Sequence, residues 1–307
     1  MKVKVPVDEH AFDEFMHEID CELAASGHDI PVRPIRALGR VSDRFGISLS
    51  IPQPHPRADK IFVQNRSLSE RILGWYKDQY GERLKVDHSL GRMVLKLDED
   101  VWTLRFPLIL GSAKFIVSTM KIRNDDHVSR NRPVHCNVVE LIEGMTAARM
   151  RTLSDSQLEN IFELFSLGIR AFAILEGTSE NKLIWSARAD IMATTTLLTS
   201  RPPPYGESKW ASLQAAEKVM KAIIALQGVK FSHTHKLKTL AQELSQAGIQ
   251  GEWAPFIKAI QCSPGIRYGE VSCSQDEAIT AHHASLGLIV ALADVSSGLR
   301  SNLAWGS

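Results

Sequence analysis

Two arginine–histidine combinations supply the residue types that phosphate chemistry needs. Arg130 and His135 lie five positions apart in the string RNRPVH, and Arg267 precedes His282 by fifteen positions. A guanidinium can hold a phosphate through paired hydrogen bonds, and an imidazole can accept or donate a proton near neutral pH. Each combination is therefore a candidate catalytic site for a phosphate ester. Pro133 interrupts the first one, which places Arg130 and His135 in a loop.

Lysines are concentrated in residues 209–238. Residues 209–238 contain six lysines against one acid, Glu217, and so carry a net charge of +5. The whole chain is nearly neutral, with 36 basic against 35 acidic residues, so any contact with an anionic partner must come from a local patch. The sequence predicts such a contact surface, with these residues as its candidates: Lys218, Lys221, His235, Lys236 and Lys238.

Histidines occur in two close pairs, at 233/235 and at 282/283. Neither pair has a carboxylate or cysteine at a helpful spacing for a metal, and adjacent histidines on a helix point about 100° apart. The sequence also lacks the phosphate-loop, dinucleotide-binding and Gly-x-Ser-x-Gly signatures. We therefore expect neither a metal site nor a cofactor.

Composition places the chain among soluble globular proteins. Of its 307 residues, 44% are hydrophobic and 23% are charged, which excludes a disordered tail, a collagen-like chain and a disulfide scaffold. The longest apolar run, 286–295, is interrupted by Gly287 and Asp294, far short of the roughly 18 residues of a membrane helix. The N-terminus does not resemble a secretory signal, and four scattered cysteines predict buried free thiols in a reducing cytoplasm. We expect a cytoplasmic protein without a membrane segment.

The first half of the sequence mixes helical and strand patterns. Apolar residues at helical spacing predict helices over 9–25 and 67–80, the second with a capping box from Ser67 to Glu70. Alternating patterns predict strands, with a hairpin turn at 98–100, over the ranges 46–51, 93–97, 102–106 and 115–117. Residues 1–150 are therefore predicted to form an α+β domain with a largely antiparallel sheet.

The second half is predicted to be helical throughout. Residues 151–204 form connecting helices that end at the proline run 202–204, because proline cannot continue a helix. Residues 205–307 form an all-helical bundle, with helices predicted over 207–227, 235–247, 252–261 and 275–298. In the first of these, Glu217 and Lys221 are expected to pair on the solvent-facing side.

Three short motifs of this bundle resemble the HEPN family (higher eukaryotes and prokaryotes nucleotide-binding). They are AEKVMKA from Ala216, Thr234-His235-Lys236-Leu237, and Arg267-Tyr268 before the last helix, within residues 205–298. The resemblance implies four or five antiparallel helices, dimerisation, and a role in toxin–antitoxin, phage-defence or stress systems. Catalytic members are metal-independent ribonucleases with an arginine four to six residues before a histidine late in the bundle, a motif that this bundle lacks.

Two hypotheses of function follow. The leading one is a HEPN-like homodimer with a non-catalytic role, because the motif is missing; it binds or regulates RNA, a nucleotide or a partner protein. The alternative is a metal-independent ribonuclease with a non-standard site drawn from Arg130, His135, Arg267 and His282. The sequence leaves both open.

Overall fold

A computed structural model describes most of the chain. The described residues are 6, 8–49, 60–85, 87, 89–109, 111–122, 134–296 and 298–299. In the helix that spans residues 60–80, side chains are described from residue 68 onward. Arg130, one of the candidate catalytic residues, lies outside them. The chain divides into two compact units, Met1–Asp87 and His88–Ser307.

The first unit is built from three helices, α1 (Glu9–Ala25), α2 (Arg33–Phe45) and α3 (Lys60–Tyr80). Asp8 caps α1 by accepting a hydrogen bond from the Ala11 amide, and Gly46 ends α2 in a left-handed conformation with φ of 62°. The three helices share a core of apolar and aromatic side chains: Phe12, Met16, Ile19, Leu23, Ala37, Leu38, Val41, Ile72, Trp75 and Tyr76. Within this unit Asp20 is buried and paired with Arg33 at 3.2 Å.

The second unit combines two small strand pairs with seven helices among its described residues. The strands are β1 (Ser89–Leu97), β2 (Asp100–Pro107), β3 (Ala113–Ile116) and β4 (Val134–Asn137). The helices are α4 (Ala147–Met150), α5 (Asp155–Gly177), α6 (Lys182–Thr199), α7 (Tyr205–Leu226), α8 (Leu237–Gln246), α9 (Ala254–Ile260) and α10 (Gln275–Val295). The β1–β2 hairpin and these helices bury one large core, and Val94, Leu198, Ala278 and Ile279 form a second, smaller cluster.

The structure confirms a mixed α+β chain with a small antiparallel sheet and a helical C-terminal region. The helices predicted over 9–25, 67–80 and the second half are present, but α3 begins at residue 60, so position 67 lies inside it and is not the start of a helix. The boundary between compact units falls at residue 87, whereas the sequence analysis placed it at 150. The reason is that the hairpin packs on α5 and α6 and shares their core.

Two strand predictions need correction. Residues 47–49 follow the end of α2 at Gly46 and have no regular structure, so their alternating pattern does not form the predicted strand. Residues 50 and 51 lie outside the described part. Residues 113–116 do form a strand, but β3 pairs with β4 in parallel, in a two-stranded sheet separate from the β1–β2 hairpin, so the strands do not form one antiparallel sheet. Helix α2 was missed, although Ala37, Leu38 and Val41 recur on one face and are buried.

The outer edge of β1 is covered by side chains from α6 and α10. The carbonyl oxygens of Leu90 and Arg92 accept hydrogen bonds from Arg188 (2.8 Å) and Thr195 (2.9 Å). Two histidines of α10 bind the next outward-facing residue, Val94. A strand edge normally offers these groups to another strand. Here the fold itself satisfies them.

Helix α10 is long and apolar enough to cross a membrane by length and composition alone. More than half of its most apolar window is buried inside the second unit, where Leu286 and Ile289 have no exposed surface. This is the pattern of the central helix of a soluble protein. All four cysteines are free thiols, but none is fully buried as expected: Cys21 is exposed, and Cys136, Cys262 and Cys273 are partly exposed.

Close packing at Gly91 gives a first testable consequence. A Cβ atom at Gly91 would lie 2.2 Å from the ring of Phe172, the residue that joins β1 to α5. We expect Gly91→Ala to lower the free energy of unfolding by about 1–3 kcal/mol, because the ring has to move from a well-packed core. Denaturant unfolding measures the loss. The double variant with Phe172→Leu should recover part of it, and additive losses would contradict the contact.

Candidate functional site

One face of α7 carries a carboxylate that is buried and twice paired. Glu217 and Lys221 are only 7% and 8% exposed, and their side chains form an ion pair of 2.7 Å. The pair therefore lies inside the fold. The prediction that it lies on the solvent-facing side is wrong. Lys221 also lies 5.6 Å from the centre of the Phe231 ring. A buried carboxylate is costly unless its partners satisfy it, so these contacts determine whether Glu217 is tolerated.

The second partner of Glu217 is His235, in the loop between α7 and α8. The Nδ1 atom of His235 lies 2.7 Å from Glu217 Oε2. Because a carboxylate only accepts, Nδ1 carries the proton, and the other ring nitrogen, Nε2, is left for a different partner. The Trp210 ring lies alongside, with its centre 5.4 Å from that of the imidazole. The ring of His235 is thus fixed on two sides.

The backbone at His235 is fixed as well. Gln261, just after α9, donates from Nε2 to the carbonyl oxygen of His235 (3.3 Å) and accepts from the amide of Leu237 at Oε1 (2.8 Å). The His235 side chain is nevertheless 58% exposed. An exposed imidazole whose ring and backbone are both held in place is preorganised to meet a ligand from solution, either as a hydrogen-bond donor or acceptor or as a cation.

The structure separates the five predicted contact residues into two groups. Lys221 is buried, and Lys218 is held 2.5 Å from Asp190 of α6, so neither presents a free charge. Burial raises the pKa of Asp190, and the nearby Lys218 ammonium opposes that shift. Both lysines therefore leave the predicted contact surface, because their charges compensate acids inside the fold. Replacing them with glutamate would disturb the fold, contrary to the expectation from sequence.

Three of the predicted residues are exposed and lie within four positions of one another, and we call them the His235 surface: His235, Lys236 and Lys238. Neither lysine has an acidic partner among the described residues. Lys238 also lines an open groove of about 480 Å³ between α8 and α9, whose other charged lining residues are Glu252 and Lys258. The His235 surface therefore joins two uncompensated positive charges to one oriented imidazole. Such a combination attracts phosphate or carboxylate groups.

The second catalytic combination, Arg267 with His282, is not brought together at an accessible site. His282 has no exposed surface, and its Nε2 accepts a hydrogen bond from the Val94 amide at 3.4 Å, while His283 Nε2 donates to the Val94 carbonyl oxygen at 2.8 Å. His282 therefore serves the packing of β1 and cannot reach a polynucleotide. Arg267 is exposed and stacks beside Tyr268, 5.8 Å from its ring centre.

His135 is the remaining candidate with a described position. It lies on strand β4 and not in the loop that was predicted, and it is exposed there, in register with Lys114 of β3. Its partner Arg130 lies outside the described residues. The structure therefore places His135 without testing the combination. Among the described residues, no cluster of three or more histidine, cysteine or acidic side chains could hold a metal.

Sequence reasoning missed the residues that position His235. Glu217 was interpreted as an ordinary solvent-facing partner of Lys221, and Gln261 was not singled out. One signal was present: Trp210, a large apolar residue, lies on the same face of α7 as Glu217 and Lys221 at helical spacing. A charged pair in line with a buried tryptophan indicates a buried pair.

Comparison with known proteins gives no family for this chain. No protein-family model matches the sequence, and neither a curated protein nor a solved structure matches it.

Proposed function

We propose that the protein is a HEPN-like binding protein whose His235 surface contacts phosphate groups of RNA or a nucleotide. The observation that carries the proposal is the exposed imidazole of His235, held by the buried Glu217 at 2.7 Å and flanked by two lysines without acidic partners among the described residues. A fixed donor beside two ammonium groups is a phosphate-binding arrangement. On this proposal the role is binding or regulation without catalysis.

The wider setting of the proposal comes from the family resemblance. Helix α7 carries the first motif, the second motif leads into α8, and the third lies in the loop between α9 and α10; in the proposal the helices α7 to α10 form a HEPN-like bundle. The proposed protein is a cytoplasmic homodimer that acts in a toxin–antitoxin or phage-defence system, alone or with a partner protein. Of the ribonuclease alternative, the combination of Arg267 with His282 loses support, because His282 is buried. The combination of Arg130 with His135 stays a prediction.

The test is the salt dependence of RNA binding. A fluorescein-labelled 12-nucleotide single-stranded RNA of mixed sequence is titrated by fluorescence anisotropy between 50 and 200 mM salt. We expect Lys236→Ala to weaken binding and to reduce the slope of log K against log salt by about 0.7, the contribution of one phosphate contact to a single strand. Lys236→Ala combined with Lys238→Ala should reduce the slope by about 1.4.

Lys114→Ala provides the matched control. Lys114 is an exposed lysine of β3, so its removal makes the same change in net charge away from the His235 surface. Its slope should equal that of the unmodified protein. If Lys114→Ala and Lys236→Ala weaken RNA binding equally, the binding depends only on net charge and not on the His235 surface. If neither variant changes RNA binding, the proposal is refuted.

A further inference from the structure

The loop after α9 exposes an aromatic ring that the fold does not use. The side chains of Arg267, Tyr268 and Val271 are exposed, and Tyr268 has 71% of its surface accessible. The Arg267 guanidinium lies 5.8 Å from the centre of the Tyr268 ring. A large aromatic side chain left in water beside an arginine offers a flat surface for stacking together with a positive charge.

This loop meets α7 on the same face as His235. A Cβ atom on Gly206 would lie 2.1 Å from the carbonyl oxygen of Ile266, so the chain crosses α7 in direct contact just before Arg267. Positions 206, 210 and 217 fall within about 40° of one another around the helix axis. The His235 loop packs on Trp210 and Glu217, and the Tyr268 loop packs on Gly206. Both loops therefore lie along one stripe of α7.

A ligand that contacts both loops must be long enough to span the distance between them. Gly206 and Glu217 are separated by about 16 Å along the helix axis, at about 1.5 Å per residue. Successive phosphates of one stacked strand are about 3.4 Å apart along the axis, so a ligand that reaches both loops is an oligonucleotide. Gln261, which binds the backbone at His235, is joined to Ile266 by only four intervening residues, so the segment between the loops is short.

We infer that Tyr268 is a stacking platform for a base of single-stranded RNA whose phosphates lie on the His235 surface. The inference rests on the proposed function and adds a site and a substrate class to it. Stacking needs an unpaired base, because both faces of a base inside a duplex are already covered. Arg267 adds a phosphate contact next to the stacked base. A duplex offers phosphates to the lysines but no free base to Tyr268.

The experiment compares Tyr268→Ala with Tyr268→Trp on the full chain. The probes are the labelled 12-nucleotide single strand and the same strand annealed to its complement. Tyr268→Ala should weaken single-strand binding by about 5- to 150-fold, the usual effect of removing one base–aromatic stack, and leave the salt slope unchanged. Tyr268→Trp should retain the affinity. The exposed position makes a folding defect unexpected, and thermal unfolding checks this.

The outcomes separate this inference from the proposed function. If Lys236→Ala weakens RNA binding while Tyr268→Ala does not, the stacking site is overturned and the phosphate surface remains. If neither change weakens binding, both fail together. If Tyr268→Ala weakens duplex and single strand equally, the selectivity for single strands is overturned. If it alters only self-association in sedimentation, Tyr268 belongs to a protein contact and the inference is also overturned.

Discussion

Replacing Glu217 with glutamine is expected to lower the free energy of unfolding by about 3–5 kcal/mol. The change removes the negative charge from a site where Lys221 is 8% exposed and leaves that ammonium buried without its counter-ion. Glutamine keeps the size of the side chain, so the loss reports charge and not volume. Chemical denaturation followed by circular dichroism measures it.

Two comparison variants make this result specific. Replacing both Glu217 and Lys221 with methionine removes the two charges together, and it should recover most of the lost stability, because apolar side chains of similar volume substitute well for a buried ion pair. Asp294→Asn breaks the exposed ion pair between Arg170 and Asp294 and should cost no more than about 1 kcal/mol. A Glu217→Gln loss as small as that of Asp294→Asn would contradict a desolvated pair.

Acidification below pH 6.5 is expected to destabilise the second unit steeply. Burial lowers the pKa of His282 well below its ordinary value of about 6.5, with the neighbouring His283 as a smaller cause. Burial also lowers the pKa of His283, although its hydrogen bond to Val94 opposes the shift. Both rings therefore stay neutral in the folded chain at a pH where the unfolded chain protonates them.

The direction of the pH effect follows from proton counting. Below about pH 6.5 the unfolded state binds more protons than the folded state, so stability falls as the pH falls, and above that pH the effect vanishes. Each fully depressed histidine contributes at most about 1.4 kcal/mol per pH unit, so the two together contribute at most about 2.7 kcal/mol per unit. The window extends from the unfolded pKa down to the folded values.

A glutamine pair isolates this contribution. His282→Gln with His283→Gln keeps an acceptor and a donor for Val94 but cannot titrate, so the free energy of unfolding should depend less on pH between 6.5 and 5 than in the unmodified protein. His233→Gln, at an exposed position, serves as the control and should keep the original dependence. Equal slopes for the unmodified protein and the glutamine pair would show that these histidines are not neutral and buried.

The sequence predicted the helices and strands of this protein better than it predicted which of them pack against one another. Helix α1 and the hairpin around residues 98–100 follow directly from local apolar periodicity and turn chemistry. The unit boundary at residue 87 does not, because it depends on which helices cover the hairpin. The contact of Gly91 with Phe172 is a long-range packing fact that no local pattern contains.

The candidate site shows the same limit at the level of single residues. His235, Lys236 and Lys238 were selected by charge and spacing, and they are exposed. Lys218 and Lys221 were selected in the same way, yet they are paired with Asp190 and Glu217. Charge counting treats these lysines alike. Only tertiary structure distinguishes a lysine that faces solvent from one that neutralises a buried acid, since the acid can come from another helix.

The most direct test of the account observes His235 itself while RNA binds. Proton–nitrogen NMR spectra of a sample with ¹⁵N-labelled histidine rings, assigned with His235→Gln, are recorded as the 12-nucleotide single strand is added. The account predicts a saturable change in the His235 ring signals with little change at the buried His282. RNA binding that leaves the His235 signals unchanged would contradict the claim that this histidine and its lysines form the binding surface.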